Sequence, residues 1–196
     1  MGCEIELKYT PTGNFSSALL FDHPLILKNR GELRRITMST EYLDTTDGLS
    51  QKNGTTLRRR CENGKSVFYA KCQRVRHGAF SERGEWSVEG EDLSAALPLL
   101  KECDAPVDVF LGKNFITVAK VSFSRLECDV TFGALSFILS YDEGFFGEKT
   151  PFSEIELELV SGNAAELIIV GEKLKEKLGL KDEPRSKYAR ALLYND

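Results

Sequence analysis

Glu4 and Glu6, and again Glu154, Glu156 and Glu158, recur at every second position of two alternating segments, Cys3–Tyr9 and Ser153–Val160. In an extended strand, residues i and i+2 share a face about 6.6 Å apart. Each segment therefore sets like charges side by side, which is unfavourable on a plain sheet surface. A cation among them removes the repulsion. Carboxylate oxygens suit hard divalent ions such as Mg²⁺ or Mn²⁺, and Mg²⁺ commonly keeps several waters together with phosphate oxygens of a substrate. A complementary set is basic: Arg58 and Arg60 share a face, Lys71 lies in the next segment, and Arg125 falls in a later one. Arginine forks match phosphate oxygens in one plane, whereas lysine acts as a point charge. Either set alone equally suits a solvated strand face. Together on the inner face of a closed sheet, they would line a pocket for a metal-bound polyphosphate.

The elements that must position these residues are mostly strands. Cys3–Tyr9 alternates strictly, with Glu4, Glu6 and Lys8 on one face and Ile5 and Leu7 on the other. A short helix is expected within Ser16–Leu27 and a strand over Leu33–Leu43. Thr56–Cys61 and Val67–Cys72 flank Asn63-Gly64, a hairpin signal because both residues tolerate positive φ. Ser81–Val88 alternates, and Asp92 is placed to cap a helix through Leu93, Leu97 and Leu100. Phe115–Thr131 and Leu135–Tyr141 read as a long strand pair, with a turn at Asp142-Glu143-Gly144. After Ser153–Val160, Asn163 opens an amphipathic helix with Leu167, Val170, Leu174 and Leu178 on one stripe; Gly179 ends it. A last short helix is expected over Ser186–Leu193. Many short antiparallel strands with few helices indicate an α+β class with a rolled or closed sheet, and one domain over residues 1–196.

Composition narrows the function. A net charge of −4 leaves no excess of cations for general nucleic-acid or polybasic membrane binding. Apolar stretches are short, and the charged N-terminal segment does not read as a signal peptide, so a cytoplasmic protein with no membrane contact is expected. Cys3, Cys61, Cys72, Cys103 and Cys128 form no Cys-x-x-Cys, and only His23 and His77 accompany them, which disfavours a zinc site. Gly64-Lys65-Ser66 imitates part of a P-loop, but the glycine required five positions earlier is Arg59.

Glu4-x-Glu6-x-Lys8 resembles the ExExK signature of the CYTH superfamily, the triphosphate tunnel metalloenzymes. The resemblance continues in order through Tyr42-Leu43-Asp44-Thr45, Leu57-Arg58-Arg59-Arg60, Lys71, Arg83-Gly84-Glu85, Arg125, Asp142 with Gly144, Glu154–Glu158 and Ser186-Lys187. It implies a closed eight-stranded antiparallel β-barrel forming a tunnel, with helices outside. It also implies that Lys8, Arg58, Arg60, Lys71, Arg125 and Lys187 grip a triphosphate. Glu4, Glu6, Asp142, Glu154, Glu156 and Glu158 would ligate Mg²⁺ or Mn²⁺ directly or through water, with Glu4, Glu6 and Lys8 carrying catalysis. Arg59 points to the other strand face. Arg83 and Glu85 either form an ion pair that shapes the tunnel or touch substrate, and Glu127 has no assigned role.

The implied activity is metal-dependent hydrolysis of a small-molecule triphosphate, by a monomer or homodimer. The Glu-Ile-Glu-Leu-Glu-Leu-Val-Ser-Gly run looks most like bacterial inorganic triphosphatases of this family. The alternatives are a thiamine triphosphatase, for which Trp86 or Tyr42 would supply an aromatic platform, a class IV adenylate cyclase, or a polyphosphate- or nucleotide-binding module without turnover.

Overall fold

The computed structural model describes residues 2–90 and 92–194. The sheet strands are β1 (Gly2–Thr10), β2 (Arg34–Asp44), β3 (Thr55–Glu62), β4 (Lys65–His77), β5 (Phe80–Glu89), β6 (Ile116–Phe132), β7 (Leu135–Phe146) and β8 (Thr150–Ser161). They pair in the order β5-β4-β3-β2-β6-β7-β8-β1, and β1 pairs back onto β5. All pairings are antiparallel, so the sheet is a closed eight-stranded barrel. A two-residue strand, β9 (Lys181–Asp182), adds to β1. The helices are α1 (Ser17–Phe21), α2 (Pro24–Leu27), α3 (Leu49–Lys52), α4 (Leu93–Glu102), α5 (Ala164–Leu178) and α6 (Lys187–Ala191). No helix among the described residues is long and apolar enough to cross a membrane.

Alternation decides which way each strand faces. On β1, Leu7 and Tyr9 point outward into an apolar cluster with Leu139, Ile155 and Leu157, which α5 covers through Leu167, Val170 and Leu174. On the far wall, α4 covers Leu57, Ala70 and Trp86. The third cluster lies at one end of the barrel: Met38, Tyr42, Val121, Phe123 and Phe146 meet Ala191, Tyr188 and Leu192 from α6 and the turn after it. Burial of the first two apolar faces, worth about 25 cal/mol per Å², leaves the opposite face of those strands pointing into the barrel, where the third cluster fills one end.

Local chemistry explains most boundaries. Asn63 and Gly64 take φ of 48° and 89°, as a two-residue hairpin turn requires. Asp92 and Asn163 accept hydrogen bonds from the N–H groups of Ala95 and Ala165 as N-caps. The helix expected over Ser16–Leu27 is broken at Asp22-His23, because Pro24 has no N–H to continue α1 and instead starts α2. The short helix α3 is built by Asp44, whose carboxylate accepts from the N–H groups of Thr45, Ser50 and Gln51.

One expectation is corrected. Asp142-Glu143-Gly144 is not a turn; β7 runs through it to Phe146, and the chain reverses after Gly147 (φ 59°). Arg125 on β6 pairs with Asp142 across the ladder and holds it in the strand. Gly144 is needed there because β6 and β7 approach closely. A Cβ on it would lie 2.0 Å from Ser122 O and 2.5 Å from Phe123 Cβ. Gly144→Ala should therefore destabilise the fold by about 2 kcal/mol or more, read as a lower urea midpoint. An unchanged midpoint would mean that the two strands separate there at no cost.

Candidate active site

The inward faces enclose a cavity of about 280 Å³. Among the described residues its lining carries seven cations (Lys8, Arg58, Arg60, Lys71, Arg83, Arg125 and Lys187) and seven carboxylates (Glu4, Glu6, Glu62, Glu85, Glu127, Glu156 and Glu158). A wall that is neutral as a whole takes up a polyanion most readily when the polyanion brings its own counter-cation.

Three groupings divide the wall. On β1 and β5, Arg83 Nε donates to Glu4 Oε2 at 2.6 Å and its Nη2 to Glu6, while Lys8 Nζ sits 3.0 Å from Glu6. Lys71 Nζ lies 2.9 Å from Glu4 and 2.7 Å from Glu85. Burial opposes ionisation of Glu4, but Lys71 and Arg83 overcome it and hold the carboxyl well below its ordinary range. Burial and the neighbouring Arg58 push Lys71 down to about 8. Arg83 and Glu85 both face the tunnel, yet each pairs with other strands' residues instead of with each other.

The second grouping joins β6, β7, β8 and α6. Arg125 makes a two-pronged contact with Asp142 at 2.8 Å on each side and also donates to Glu156. Lys187 Nζ sits among Asp142 (2.8 Å), Glu156 (2.9 Å) and Glu154. Burial resists the negative charges of Asp142 and Glu156; Arg125 and Lys187 reverse this for both, so both stay ionised. One oxygen from each of Asp142, Glu154 and Glu156 lies within 4.8 Å of the others, close enough to share a cation. Asp142 and Glu154 are themselves fully buried. Glu154 is also bound by Arg190, which the sequence reading missed. Its signal is the i,i+3 spacing from Lys187, which puts both cations on one face of α6.

The third grouping is the least neutralised. Among the described residues Arg58 has only Glu85 at 3.8 Å as an ion-pair partner, stacks over Tyr69 at 4.4 Å, and leaves its Nε buried without a hydrogen-bond partner. Arg60 donates from Nε to Thr40 Oγ1 at 3.3 Å and meets Glu62 at 3.6 Å. Burial, then Arg58 and Arg125, lower its affinity for its proton. β3 and β8 are four places apart in a ring of eight, so Arg58 and Arg60 face Glu156 and Glu158 across the cavity. Glu158 lies opposite Glu6 in the ladder. Burial and the charges of Glu4, Glu156 and Glu85, eased in part by Lys71, push its carboxyl up to about 7.

Several other residues are placed by the same geometry. Arg59 points outward to Ser66 and Glu41, as its parity requires. Glu127 lines the cavity and is held by Arg34 at 3.1 Å. Trp86 is outside the barrel, its ring covering Gly84, and it packs with the α4 cluster. It does not line the main cavity. Tyr42 does line the cavity, with its ring against Tyr188 at 5.0 Å.

The chain matches the CYTH domain over residues 2–192. It is a member of the CYTH family. Solved structures with the same fold include a Hippeastrum protein reported as a candidate adenylyl cyclase that reveals a dominant triphosphatase activity; it is 20% identical with a TM-score of 0.72, covering 98% of this chain and 97% of that one. A candidate adenylate cyclase from Bacillus halodurans is 18% identical with a TM-score of 0.63, covering 97% and 98%. A Pyrococcus horikoshii OT3 protein is 23% identical with a TM-score of 0.62, covering 98% and 99%. Comparison with curated protein sequences gives no match.

Glu158 supplies a test of the site's electrostatics in metal-free protein. Below about pH 4.5, folded and unfolded chains both carry its proton and nothing is lost. Between there and pH 7 the unfolded chain ionises while the folded one holds the proton, so stability falls, and above 7 the loss is complete. Glu158→Gln should raise Tm at about pH 8 in EDTA and leave it unmoved near pH 4. No gain at the higher pH would show the carboxylate to be neutralised by a partner.

Proposed function

We propose that this chain is a metal-dependent triphosphatase whose substrate is inorganic triphosphate. The observation that carries the reading is the pair of under-neutralised arginines, Arg58 and Arg60, facing across a neutral cavity Glu158, which forms no ion pair among the described residues. One side is short of negative charge and the other of positive charge, which is the complement of a phosphate chain bound to a divalent cation.

Arg58, Arg60, Lys71, Arg125, Lys187 and Lys8 would bind the phosphates, using forks on β3 and β6 and point charges elsewhere. Glu6, Glu156 and Glu158, with Glu4 beside them, would hold Mg²⁺ or Mn²⁺; their all-oxygen donor set fits a hard ion. The cluster of Asp142, Glu154 and Glu156 is a second place for such an ion, at present served by the Lys187 ammonium. When bound, the metal supplies neutralisation of the charge that spreads over phosphate oxygens in the transition state. Glu6 accepts a hydrogen bond from the attacking water and orients it, while Lys8 fixes the Glu6 carboxylate. Phosphoryl transfer asks mainly for such positioning and charge compensation.

An inorganic substrate is favoured over an organic one by the cavity itself. Its 280 Å³ is at the small end of the range of about 300–1,000 Å³ usual for drug-sized ligands. The aromatic faces that line it are already covered, Tyr69 by Arg58 and Tyr42 by Tyr188.

The test is phosphate release from inorganic triphosphate, thiamine triphosphate, ATP and a longer polyphosphate, each with Mg²⁺, Mn²⁺ or EDTA. Fast release from inorganic triphosphate with metal and none in EDTA is expected. Arg60→Ala should raise KM about tenfold or more, and Glu6→Ala should lower kcat about a hundredfold or more. Cyclic AMP from ATP would make the chain a cyclase. Triphosphate binding without release from any compound would make it a binding module.

A further inference from the structure

Two further concavities adjoin the main cavity. One shares Glu4, Glu85 and Glu158 with it and, among the described residues, contains no cation. The other, about 340 Å³, shares Lys71 and Arg83 with it, adds Arg76, and contains no carboxylate among the described residues. β5 runs from Ser81, level with Arg76, to Glu85, level with Gly2, so the two openings lie toward opposite ends of the barrel. Lys71 and Arg83 lie between the openings, ion-paired with Glu4, Glu6 and Glu85, and Arg76 carries the charge that distinguishes the second opening from the first.

The second opening lies between α3, β4 and α6. Arg76 is exposed there; its Nη2 donates to Gln73 Oε1 at 2.9 Å, and no carboxylate among the described residues forms an ion pair with it. Ser50, on α3, also lines this cavity. It is 1% exposed, and its Oγ has no hydrogen-bond partner, although its backbone N–H is taken by Asp44. A buried hydroxyl without a partner is costly and uncommon. In a cavity that is also lined by three cations, an anion's acceptor oxygen would satisfy it.

We propose that this cavity is an orthophosphate subsite and the route by which phosphate leaves the tunnel. Arg76, Lys71 and Arg83 hold the anion, and Ser50 donates its hydroxyl hydrogen to it. The exit role rests on the triphosphatase reading. Hydrolysis of triphosphate breaks one P–O–P bond, adds the hydroxyl of water to one phosphorus, and yields orthophosphate, diphosphate and a proton. Lys71 and Arg83 border both cavities, so the released anion passes from one to the other without losing its counter-charges. The carboxylates of the first opening repel it.

The test is calorimetric titration of inorganic phosphate into the full chain in EDTA, with tripolyphosphate saturating the main cavity and no turnover possible. Phosphate should still bind. Arg76→Glu should weaken it about tenfold, Arg76→Gln less, and Ser50→Ala about threefold, with melting transitions confirming that each variant is folded. Equal affinity in all three variants and the native chain would overturn the subsite. So would the absence of phosphate binding, or its complete displacement by tripolyphosphate, which would put the phosphate in the main cavity. Because the assay needs no catalysis, these outcomes leave the triphosphatase reading untouched. Phosphate binding of the expected kind in a chain that hydrolyses no triphosphate would sustain the subsite and overturn its part in product release.

Discussion

Charge enclosed by an eight-stranded barrel has to be compensated by the barrel's own wall. An isolated buried ion costs several kcal/mol after relaxation, and this interior holds more than a dozen ionisable groups. The structure meets that constraint by interlocking them. Arg83 serves Glu4 and Glu6, Lys71 serves Glu4 and Glu85, and Lys187 serves three carboxylates at once. Most of these contacts join different strands, so the same interactions that make the interior tolerable also fix the ladder registers. A one-residue slip of any strand would turn its charges outward and its apolar residues inward.

Where the compensation is incomplete, it is incomplete on two facing walls. Arg58 and Arg60 each have one long ion pair, at 3.8 and 3.6 Å, and Glu158 forms none among the described residues. Real proteins depart from local consistency chiefly at functional sites. The contrast with Asp142 is instructive. That residue is likewise a carboxylate and more deeply buried, yet Arg125 and Lys187 satisfy it, and it shapes the cations that border the cavity instead of facing the cavity itself. Two carboxylates of the same apparent importance in the sequence thus have different places in the electrostatics.

What the sequence carried was parity. Alternation separated Glu4, Glu6 and Lys8 from Ile5 and Leu7 and excluded Arg59 from the interior, while the Asn63-Gly64 pair located the hairpin by its tolerance of positive φ. The features that escaped it depend on partners distant in the chain. Asp142-Glu143-Gly144 has the composition of a turn, and only Arg125, across the ladder, makes it strand. Asp44 organises α3 through three backbone N–H groups that no spacing rule announces. Trp86 is an aromatic residue beside an interior pair, but its parity places it outside over Gly84. Arg190 acquires meaning only when α6 lies against Glu154.

The helix α6 also has a temporal side. Synthesis delivers the barrel strands before residues 187–190, so Glu154 and Asp142 are enclosed or waiting while two of their three cations are still absent. Until α6 arrives, water has to solvate those carboxylates, and the end of the barrel formed by Tyr42, Phe123 and Phe146 stays open to admit it. Closure of the barrel end and neutralisation of the acidic cluster are thus carried by one and the same helix.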